Sequence, residues 1–291
     1  MLEILLALVA ALLFALGTVL QQKASLDAPS TAEGSHAGLL LRMARRPVWL
    51  AGIAADALGF GAQAVALTIG RIAVVQPLLI ASVVFALPLG ARLTGQHVGR
   101  RDVGAAVLVT VALAAFLVVA NTSGGRGDAP LHAWLIAGAA LGGASALLAV
   151  LARRAPRKLK AALLGAGAGL LFALSAALTK AVGDQVRHGL LTIFGDWHLY
   201  ALAVVGYASL TLNQLALATG ALAPAIATSM ALDPIASVVL GVTLFAETLS
   251  ATALGTVVGI AALAATLAGI AVLAHAWEPP ALARGAHGPS A

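Results

Sequence analysis

The chain has 291 residues, of which 61% are hydrophobic and 10% are charged, with 17 Lys and Arg against 11 Asp and Glu. A soluble domain carries about 25% charged residues, so this composition excludes a soluble globular protein and indicates a chain embedded in lipid. There is no cysteine, which excludes disulfides, thiolate catalysis and Cys-ligated metals.

Nine segments are long and apolar enough to cross a bilayer core, which takes about 20 residues of helix. In chain order, predicted spans 1 to 9 cover residues 2–20, 48–69, 72–93, 103–120, 132–151, 161–182, 198–218, 221–243 and 251–273. These runs do not alternate polar and apolar residues as the strands of a membrane β-barrel would. The sequence therefore predicts an all-α fold, a polytopic membrane helical bundle of about nine transmembrane helices.

Lysine and arginine are distributed unequally among the predicted loops. The gaps after spans 1, 3 and 5 and the C-terminal tail hold 13 of them, and the other side holds four. Cytoplasmic loops carry an excess of Lys and Arg, so we expect a plasma-membrane protein with its N-terminus outside and its C-terminus in the cytoplasm. The loop ARRAPRKLK (152–160) is the strongest cytoplasmic marker.

Short stretches of the first half recur in the second. LLFAL occurs at 12–16 and 170–174, ALTIGRIA (66–73) is similar to ALATGALA (216–223), and TGQHVGRRDVG (94–104) aligns with LFAETLSATALG (244–255). The second pair predicts tight turns at Gly70 and Gly220. Spans 1–4 thus match spans 6–9, and span 5 inverts the second copy. Inverted-topology repeats are typical of alternating-access carriers, with the site at the repeat interface near the membrane midplane.

This repeat defines the predicted organisation of the chain. Residues 1–120 form the first repeat, and residues 121–160 form the linking span 5 with its basic loop. Residues 161–275 form the second repeat. Residues 276–291 form a tail rich in Pro and Gly that we expect to be disordered.

The stretch ATGALAPAIATSMALDPIASVVLGVTLFAETLSATALGTVVGIAALAATLAG (218–269) combines small residues, a mid-helix Pro, a Glu at the helix end and Gly in the last span. In this it resembles the EamA-type halves of the drug/metabolite transporter (DMT) superfamily. Residues 69–109 have the same style, with Gln96 or His97 at the position of the Glu. The resemblance implies an integral membrane transporter that moves a small solute, without a cofactor.

The nine-span layout is similar to that of NIPA-type magnesium transporters. TLNQLALATGAL (211–222) and DALGFGAQA (56–64) resemble two of their stretches, with Gly59 and Gln63 as departures. This second resemblance implies an alternative function, a permease for magnesium or another divalent cation. Such a hard cation needs oxygen ligands, which carboxylate, amide and backbone oxygens can supply.

Asp56 and Asp233 are the acidic residues that fall in the middle of predicted spans. An ionisable group there costs about 2.5–3.5 kcal/mol or more, which makes both residues candidates for a proton- or cation-binding site. Asp56 shares a helix face with Gly59 and Gln63. Asp233 precedes Pro234, whose missing N–H frees the backbone carbonyl one turn earlier, a place where a membrane helix can unwind towards a cavity.

Further polar residues accompany the two aspartates. Those predicted to line the solute path are Gln63, Gln76 and Asn213. Pro77 is predicted to be a kink or a gate in span 3. For all of these residues the alternative is a packing role, because intramembrane polar groups also hydrogen-bond neighbouring helices. Lys23 and Lys180 follow the two copies of LLFAL near helix ends, and we expect them to extend to water.

Other functional classes find no support in the sequence. No two of the seven histidines have the i, i+4 spacing of metal ligands, and there is no nucleophile–base motif, so an enzyme is not expected. An intramembrane enzyme or a non-transport structural subunit of a membrane complex is the less favoured alternative to a transporter. The cations lie in short gaps between apolar runs, which excludes a nucleic-acid-binding face. The predicted partners are the lipid bilayer and a small-molecule or cation substrate, with a homodimer left open. Glycine pairs that predict close helix packing are Gly138/Gly142, Gly165/Gly169 and Gly255/Gly259.

Overall fold

The computed structural model describes residues 1–26, 46–95, 98–119, 123–186, 189, 191–219, 221–248 and 252–276. Within these ranges the chain forms ten α-helices, one short 3-10 helix and one antiparallel pairing of two-residue strands. Predictions for Gln96, His97 and the Gly220 turn, and for the tail from residue 277 onwards, lie outside the described residues.

The helices follow the predicted spans. They are α1 (Leu2–Leu26), α2 (Pro47–Ile69), α3 (Ile72–Leu79), α4 (Ala81–Thr94), α5 (Arg100–Val119), α6 (Leu131–Ala152), α7 (Arg157–Val186), α8 (Trp197–Ala218), α9 (Leu222–Thr243) and α10 (Ala253–Ala276). A 3-10 helix covers Thr192–Gly195, and strand β1 (Ser123–Gly124) pairs with β2 (Glu247–Thr248).

Seven helical segments are long and apolar enough to cross a membrane, judged by length and composition over the described residues. They are Leu2–Ala24, Pro47–Ile69, Ile72–Thr94, Leu131–Ala152, Arg157–Val186, Trp197–Ala218 and Pro224–Thr243. Gly255–Gly269 is a shorter apolar helix. The chain is thus an all-helical membrane protein, as predicted. Helices α5 and α10 occupy the places of the remaining two spans, and the total of nine stays a prediction.

Helix α7 lies at the centre of the bundle and packs against α9, α8, α6 and α2. Helix α1 packs against α2 and α4, and α5 packs against α10. Within the 18 most apolar consecutive residues of each span, 67% are buried in α7 and in Ile72–Thr94. In α6 and α8 only 11% are buried. The apolar side chains of α6 and α8 therefore remain on the outside of the bundle, where lipid would cover them.

The predicted span 3 is interrupted after Pro77. Proline has no N–H to donate to the carbonyl one turn earlier, which weakens the helix around it. Helix α3 ends at Leu79, and the Ile80 amide instead donates to the Pro77 carbonyl at 3.2 Å, a shorter-range bond. Helix α4 begins at the next residue. The interruption lies at Ile80, three residues after Pro77, and the role of Pro77 as a kink or a gate stays a prediction.

Close helix packing occurs at one of the predicted glycine pairs. On α7, a Cβ at Gly165 would overlap the carbonyl oxygen of Ala225, and one at Gly169 would lie 2.5 Å from the Ser229 carbonyl oxygen. These two glycines therefore let α9 approach α7. The prediction was wrong for the others with a described environment, since a Cβ would meet nothing within 4 Å at Gly138, Gly142 and Gly259.

Loops from distant parts of the sequence meet at one end of the bundle, which we call the Glu247 end. Here the Glu3 side chain lies against Gly70, the Arg126 amide donates to the Phe245 carbonyl at 2.9 Å, and Glu247 binds the start of α3. Helix directions place ten cations at the opposite, basic end: Lys23, Arg46, Arg92, Arg100, Arg101, Arg153, Arg154, Arg157, Lys158 and Lys160. The predicted segregation of positive charge is therefore present in the fold.

Gly70 has a different role from the one the sequence suggested. The predicted tight turn would use a left-handed backbone, but Gly70 is extended, with φ −117° and ψ −174°. A Cβ there would lie 2.7 Å from the Ala66 carbonyl oxygen and 2.7 Å from the Glu3 Cβ. Glycine is therefore needed at this position because α1 and α2 leave no space for a side chain, and not because of the backbone conformation.

Candidate functional site

Two adjoining cavities lie among the helices around α7, with volumes of about 360 and 570 Å³. Residues from α1, α4, α7 and α9 line both of them: Thr18, Ser82, Phe172, Met230 and Asp233. Because the two share these walls, we treat them together as the central cavity. It is the candidate site because most of the predicted polar residues converge on it.

The structure brings four of the five predicted binding residues to the central cavity. Gln63 of α2 and Gln76 of α3 line the larger part, Asn213 of α8 lines the smaller part, and Asp233 lines both. Pro234 contributes to the larger part as well. Two consecutive helices from each half of the chain, α2 and α3 and then α8 and α9, thus each supply one polar group to a shared space.

Asp233 is the one charged residue among the described residues that line the cavity. The Ser237 hydroxyl, one turn further along α9, donates to Asp233 Oδ1 at 3.2 Å. The helix does not unwind at Pro234, because α9 continues as a helix through this residue. The backbone of α9 at Asp233 packs closely against α7, since a Cβ at Gly169 would lie 3.2 Å from the Asp233 nitrogen.

Two polar atoms on the cavity wall have no hydrogen-bond partner in the described part of the chain. They are Oε1 of Gln76, a residue only 3% exposed, and Oγ of Ser175 on α7. A buried polar atom without a partner costs about 1–3 kcal/mol. Gln76 and Ser175 both line the larger part of the cavity, so a molecule that enters it can satisfy both atoms.

Asp56 lies elsewhere. Gln21 on α1 donates from Nε2 to Asp56 Oδ2 at 2.5 Å, and a Cβ at Gly17 would overlap the Asp56 carboxyl group. The carboxyl group therefore sits in the α1–α2 interface, and Asp56 is absent from the described lining of the central cavity. Gln63, two turns later on the same face, lines the cavity. The structure gives Asp56 a helix-packing contact.

Aromatic side chains also form part of the cavity wall, and they were not among the site residues predicted from the sequence. Phe14 of α1 and Phe60 of α2 meet edge to face, with ring centroids 4.9 Å apart. Both line the larger part together with Phe172 of α7. The space thus combines one carboxylate, neutral polar groups and aromatic faces.

A buried ion pair closes the Glu247 end of the bundle. Glu247 Oε1 and Oε2 accept hydrogen bonds from the Ile72 and Ala73 amides, each at 3.0 Å, at the N-terminus of α3. Lys180 Nζ of α7 lies 3.4 Å from Glu247 Oε1 and donates to the Gly70 carbonyl. Helix N-termini favour such an anion, since their first amides have no partner within the helix.

The ion pair corrects the prediction that Lys180 extends to water. Its side chain is 12% exposed, that of Glu247 is 0% exposed, and the ammonium group lies 5.3 Å from the centre of the Phe245 ring. The sequence placed both residues at span ends. The sequence could not show that α7, the α2–α3 turn and the segment after α9 enclose them together.

A second polar cluster at the Glu247 end joins the starts of α6 and α8. Buried His198 has Nδ1 at 2.5 Å from Asp196 Oδ1, and its Nε2 lies 3.3 Å from Asp128 Oδ1 without an aligned hydrogen bond. Trp134 Nε1 donates to the same Asp128 oxygen at 2.8 Å, and Trp197 stacks on the His198 ring. The cluster links the loop that precedes α6 to the start of α8, and none of its residues is among the described residues that line the central cavity.

Over 252 residues the chain is 32% identical to an uncharacterized protein of Corynebacterium glutamicum, and the match covers 85% of this chain and 86% of that protein. The chain belongs to the same family as that protein. The shared region takes in most of both sequences, so the relationship concerns the bundle as a whole. No protein-family model matches the chain, and no solved structure matches it.

Proposed function

We propose that this membrane protein is a carrier of the drug/metabolite transporter type, which moves a small solute by alternating access through the central cavity. The observation that carries the proposal is the cavity wall itself. It combines a carboxylate at Asp233 with unpartnered polar atoms at Gln76 and Ser175, deep within apolar helices. In a purely structural bundle, a buried carboxylate and unpartnered polar atoms only lower stability. In a carrier, a bound solute supplies the missing hydrogen bonds and counter-charge.

The pattern of helix contacts supports an inverted repeat. In the proposed correspondence α1 matches α7, α2 matches α8, the α3–α4 segment matches α9, and α5 matches α10. Helix α1 packs on α2 and on α3–α4, and likewise α7 packs on α8 and on α9. The α3–α9 and α5–α10 contacts join the two halves. Carriers built from such repeats bind solute between the halves, and the central cavity has walls from both.

The cavity favours a small solute over the magnesium alternative. Among the described residues there is no group of three or more His, Cys, Asp or Glu that could hold a metal ion. The described cavity lining offers one carboxylate and the aromatic side chains of Phe14, Phe60 and Phe172. Mg²⁺ demands close octahedral oxygen coordination and retains several waters, which aromatic walls do not accommodate.

For the orientation in the membrane, we propose that the Glu247 end faces outward and the basic end faces the cytoplasm, since loops rich in Lys and Arg remain inside.

A cysteine at Leu191, which is 80% exposed, should react with a membrane-impermeant thiol reagent in intact cells. Cysteines at Ala155 and Arg100 should react only after permeabilisation. The cysteine-free parent is the control, and labelling at Ala155 in intact cells contradicts this orientation. Leu191 is a better site than Gly125, whose φ of 115° disfavours a side chain.

The test of the carrier function is solute flux in proteoliposomes. Vesicles with the purified protein are supplied separately with radiolabelled organic solutes (an amine, an amino acid and a carboxylic acid) and with Mg²⁺ read by a trapped dye. We expect saturable uptake of one organic class above protein-free vesicles, and no added Mg²⁺ uptake. Uptake of Mg²⁺ alone would establish the magnesium alternative, and no uptake of any probe would contradict a carrier of these solutes.

A further inference from the structure

We propose that the central cavity binds a monovalent organic cation, specifically an amine with N–H donors and an apolar body. This names the substrate class of the proposed carrier and rests on that function for its role, although binding itself can be measured without transport. The inference rests on three features of the cavity: its charge, its unpartnered acceptors and its aromatic walls.

The charge of the cavity wall comes from Asp233 alone. In the described part of the chain no Lys, Arg or His forms an ion pair with this carboxylate, and no cationic side chain lines the space. Its described partner is the neutral Ser237 hydroxyl. Lys180, on the neighbouring helix, is bound to Glu247. A carboxylate in surroundings of low polarity strongly favours a counter-charge, so a cationic solute is preferred and an anion is repelled.

The unpartnered atoms indicate a solute that donates hydrogen bonds. Gln76 Oε1 is an acceptor, and the Ser175 hydroxyl oxygen can also accept. Thr179 of α7 and Ser209 of α8 use their hydroxyl protons in bonds to carbonyls of their own helices, at 2.8 Å each. Their oxygens remain available on the same wall. An ammonium group carries up to three N–H donors and matches this set of acceptors.

The aromatic side chains of the cavity wall are compatible with the apolar body of the proposed amine. Phe14, Phe60 and Phe172 present rings to the larger part of the cavity, and rings attract a nearby cation through their negative faces. As apolar lining residues, these three side chains also give favourable contact to an apolar body. The volume of about 570 Å³ lies within the range of about 300–1,000 Å³ that is typical of small-molecule sites.

The test is binding of phenethylammonium to the purified protein in detergent, measured by isothermal titration calorimetry. The comparison ligands are 2-phenylethanol, which has similar shape without charge, 3-phenylpropionate, which is anionic, and Mg²⁺. We expect saturable binding of the ammonium, with the alcohol and the anion at least tenfold weaker and no binding of Mg²⁺ in the cavity. Equal affinity for the ammonium and the alcohol would overturn the proposal, because it would show that the charge at Asp233 is not recognised.

Variants locate the binding to the cavity. Asp233→Asn should weaken ammonium binding at least tenfold, and Gln76→Leu and Ser175→Ala should weaken it several-fold while leaving the melting temperature unchanged or higher. The matched control is Ser145→Ala. Ser145 is also buried, but its hydroxyl donates to the Gly167 carbonyl at 3.0 Å in the α6–α7 interface. This control should lose thermal stability and keep its affinity. Unchanged affinity in both Asp233→Asn and Gln76→Leu would overturn the site.

The binding and flux measurements fail in different ways. If phenethylammonium does not bind but another class of organic solute shows saturable flux, the amine assignment is overturned and the carrier function stands. If the ammonium binds with the predicted dependence on Asp233 but no solute crosses the membrane, the site is supported and the carrier function is contradicted.

Discussion

Replacing Glu247 with alanine is expected to destabilise the protein by about 3–5 kcal/mol, the usual cost of removing one partner of a buried ion pair. The substitution would leave the Lys180 ammonium without its counter-charge. It would also leave the Ile72 and Ala73 amides, which now donate to Glu247 at 3.0 Å, without acceptors at the N-terminus of α3. The measurement is the melting temperature of the purified protein in detergent, together with the yield of folded protein.

Asp102 provides a matched control for this loss. Its carboxyl group also accepts from a backbone amide at a helix N-terminus, that of Gly99 at 2.8 Å, but at the surface of the protein. Asp102→Ala should therefore lower the melting temperature much less than Glu247→Ala. Lys180→Met should cost less than Glu247→Ala, because Glu247 would keep both amide donors. Equal small losses in the Glu247 and Asp102 variants would show that the ion pair does not close this end of the bundle.

Asparagine at position 233 is expected to lower solute flux per folded molecule at least tenfold while leaving thermal stability unchanged or improved. The substitution preserves the shape of the side chain and an acceptor for Ser237, but it removes the charge that faces the cavity. Removing an unpaired charge from the membrane interior lowers the cost of burial. Flux is measured in proteoliposomes and stability in detergent, so a folding defect is distinguished from a defect in transport.

Asparagine at position 56 is the comparison that separates the two intramembrane aspartates. Asp56 accepts from Gln21 in the α1–α2 interface, where Gly17 makes room for its carboxyl group. We expect Asp56→Asn to transport normally, because this side chain is absent from the described cavity lining and the asparagine oxygen can still accept the hydrogen bond from Gln21. Loss of flux in Asp56→Asn with full stability would show that Asp56 belongs to the transport path.

Much of this arrangement follows from local features of the sequence. Long apolar runs without alternation predict helices, and the uneven distribution of Lys and Arg predicts which loops share an end. The cost of a polar group in lipid points to Gln63, Gln76, Asn213 and Asp233, and these four do line the central cavity. Such predictions succeed because the membrane constrains each helix individually, before any tertiary contact forms.

Asp56 shows where helix periodicity stops being informative. It shares a face with Gln63, yet Gln21 and Gly17 of α1 contact Asp56, whereas Gln63 reaches the cavity. One continuous helix face thus supplies one side chain to the α1–α2 interface and another to the cavity. The sequence of α2 alone contains no signal for where α1 crosses it.

The ion pair at the Glu247 end depends on contacts of still longer range. Glu247 meets the amides of residues 175 and 174 positions away in sequence, and it meets Lys180 from another helix. Read separately, a Lys and a Glu at span ends are expected to face water, because water solvates them at no cost. Their burial follows from three chain segments that enclose them together, and no local pattern encodes that.

The most direct measurement of the central claim is the pH dependence of organic-cation flux at limiting solute concentration, in wild type and in Asp233→Asn. A carboxyl group that holds a cation must be ionised, so wild-type flux should fall as acidification protonates it. The asparagine variant has no group to protonate at this position and should show low flux that does not depend on this titration. Full flux of Asp233→Asn at every pH tested would remove Asp233 from the site and contradict the account.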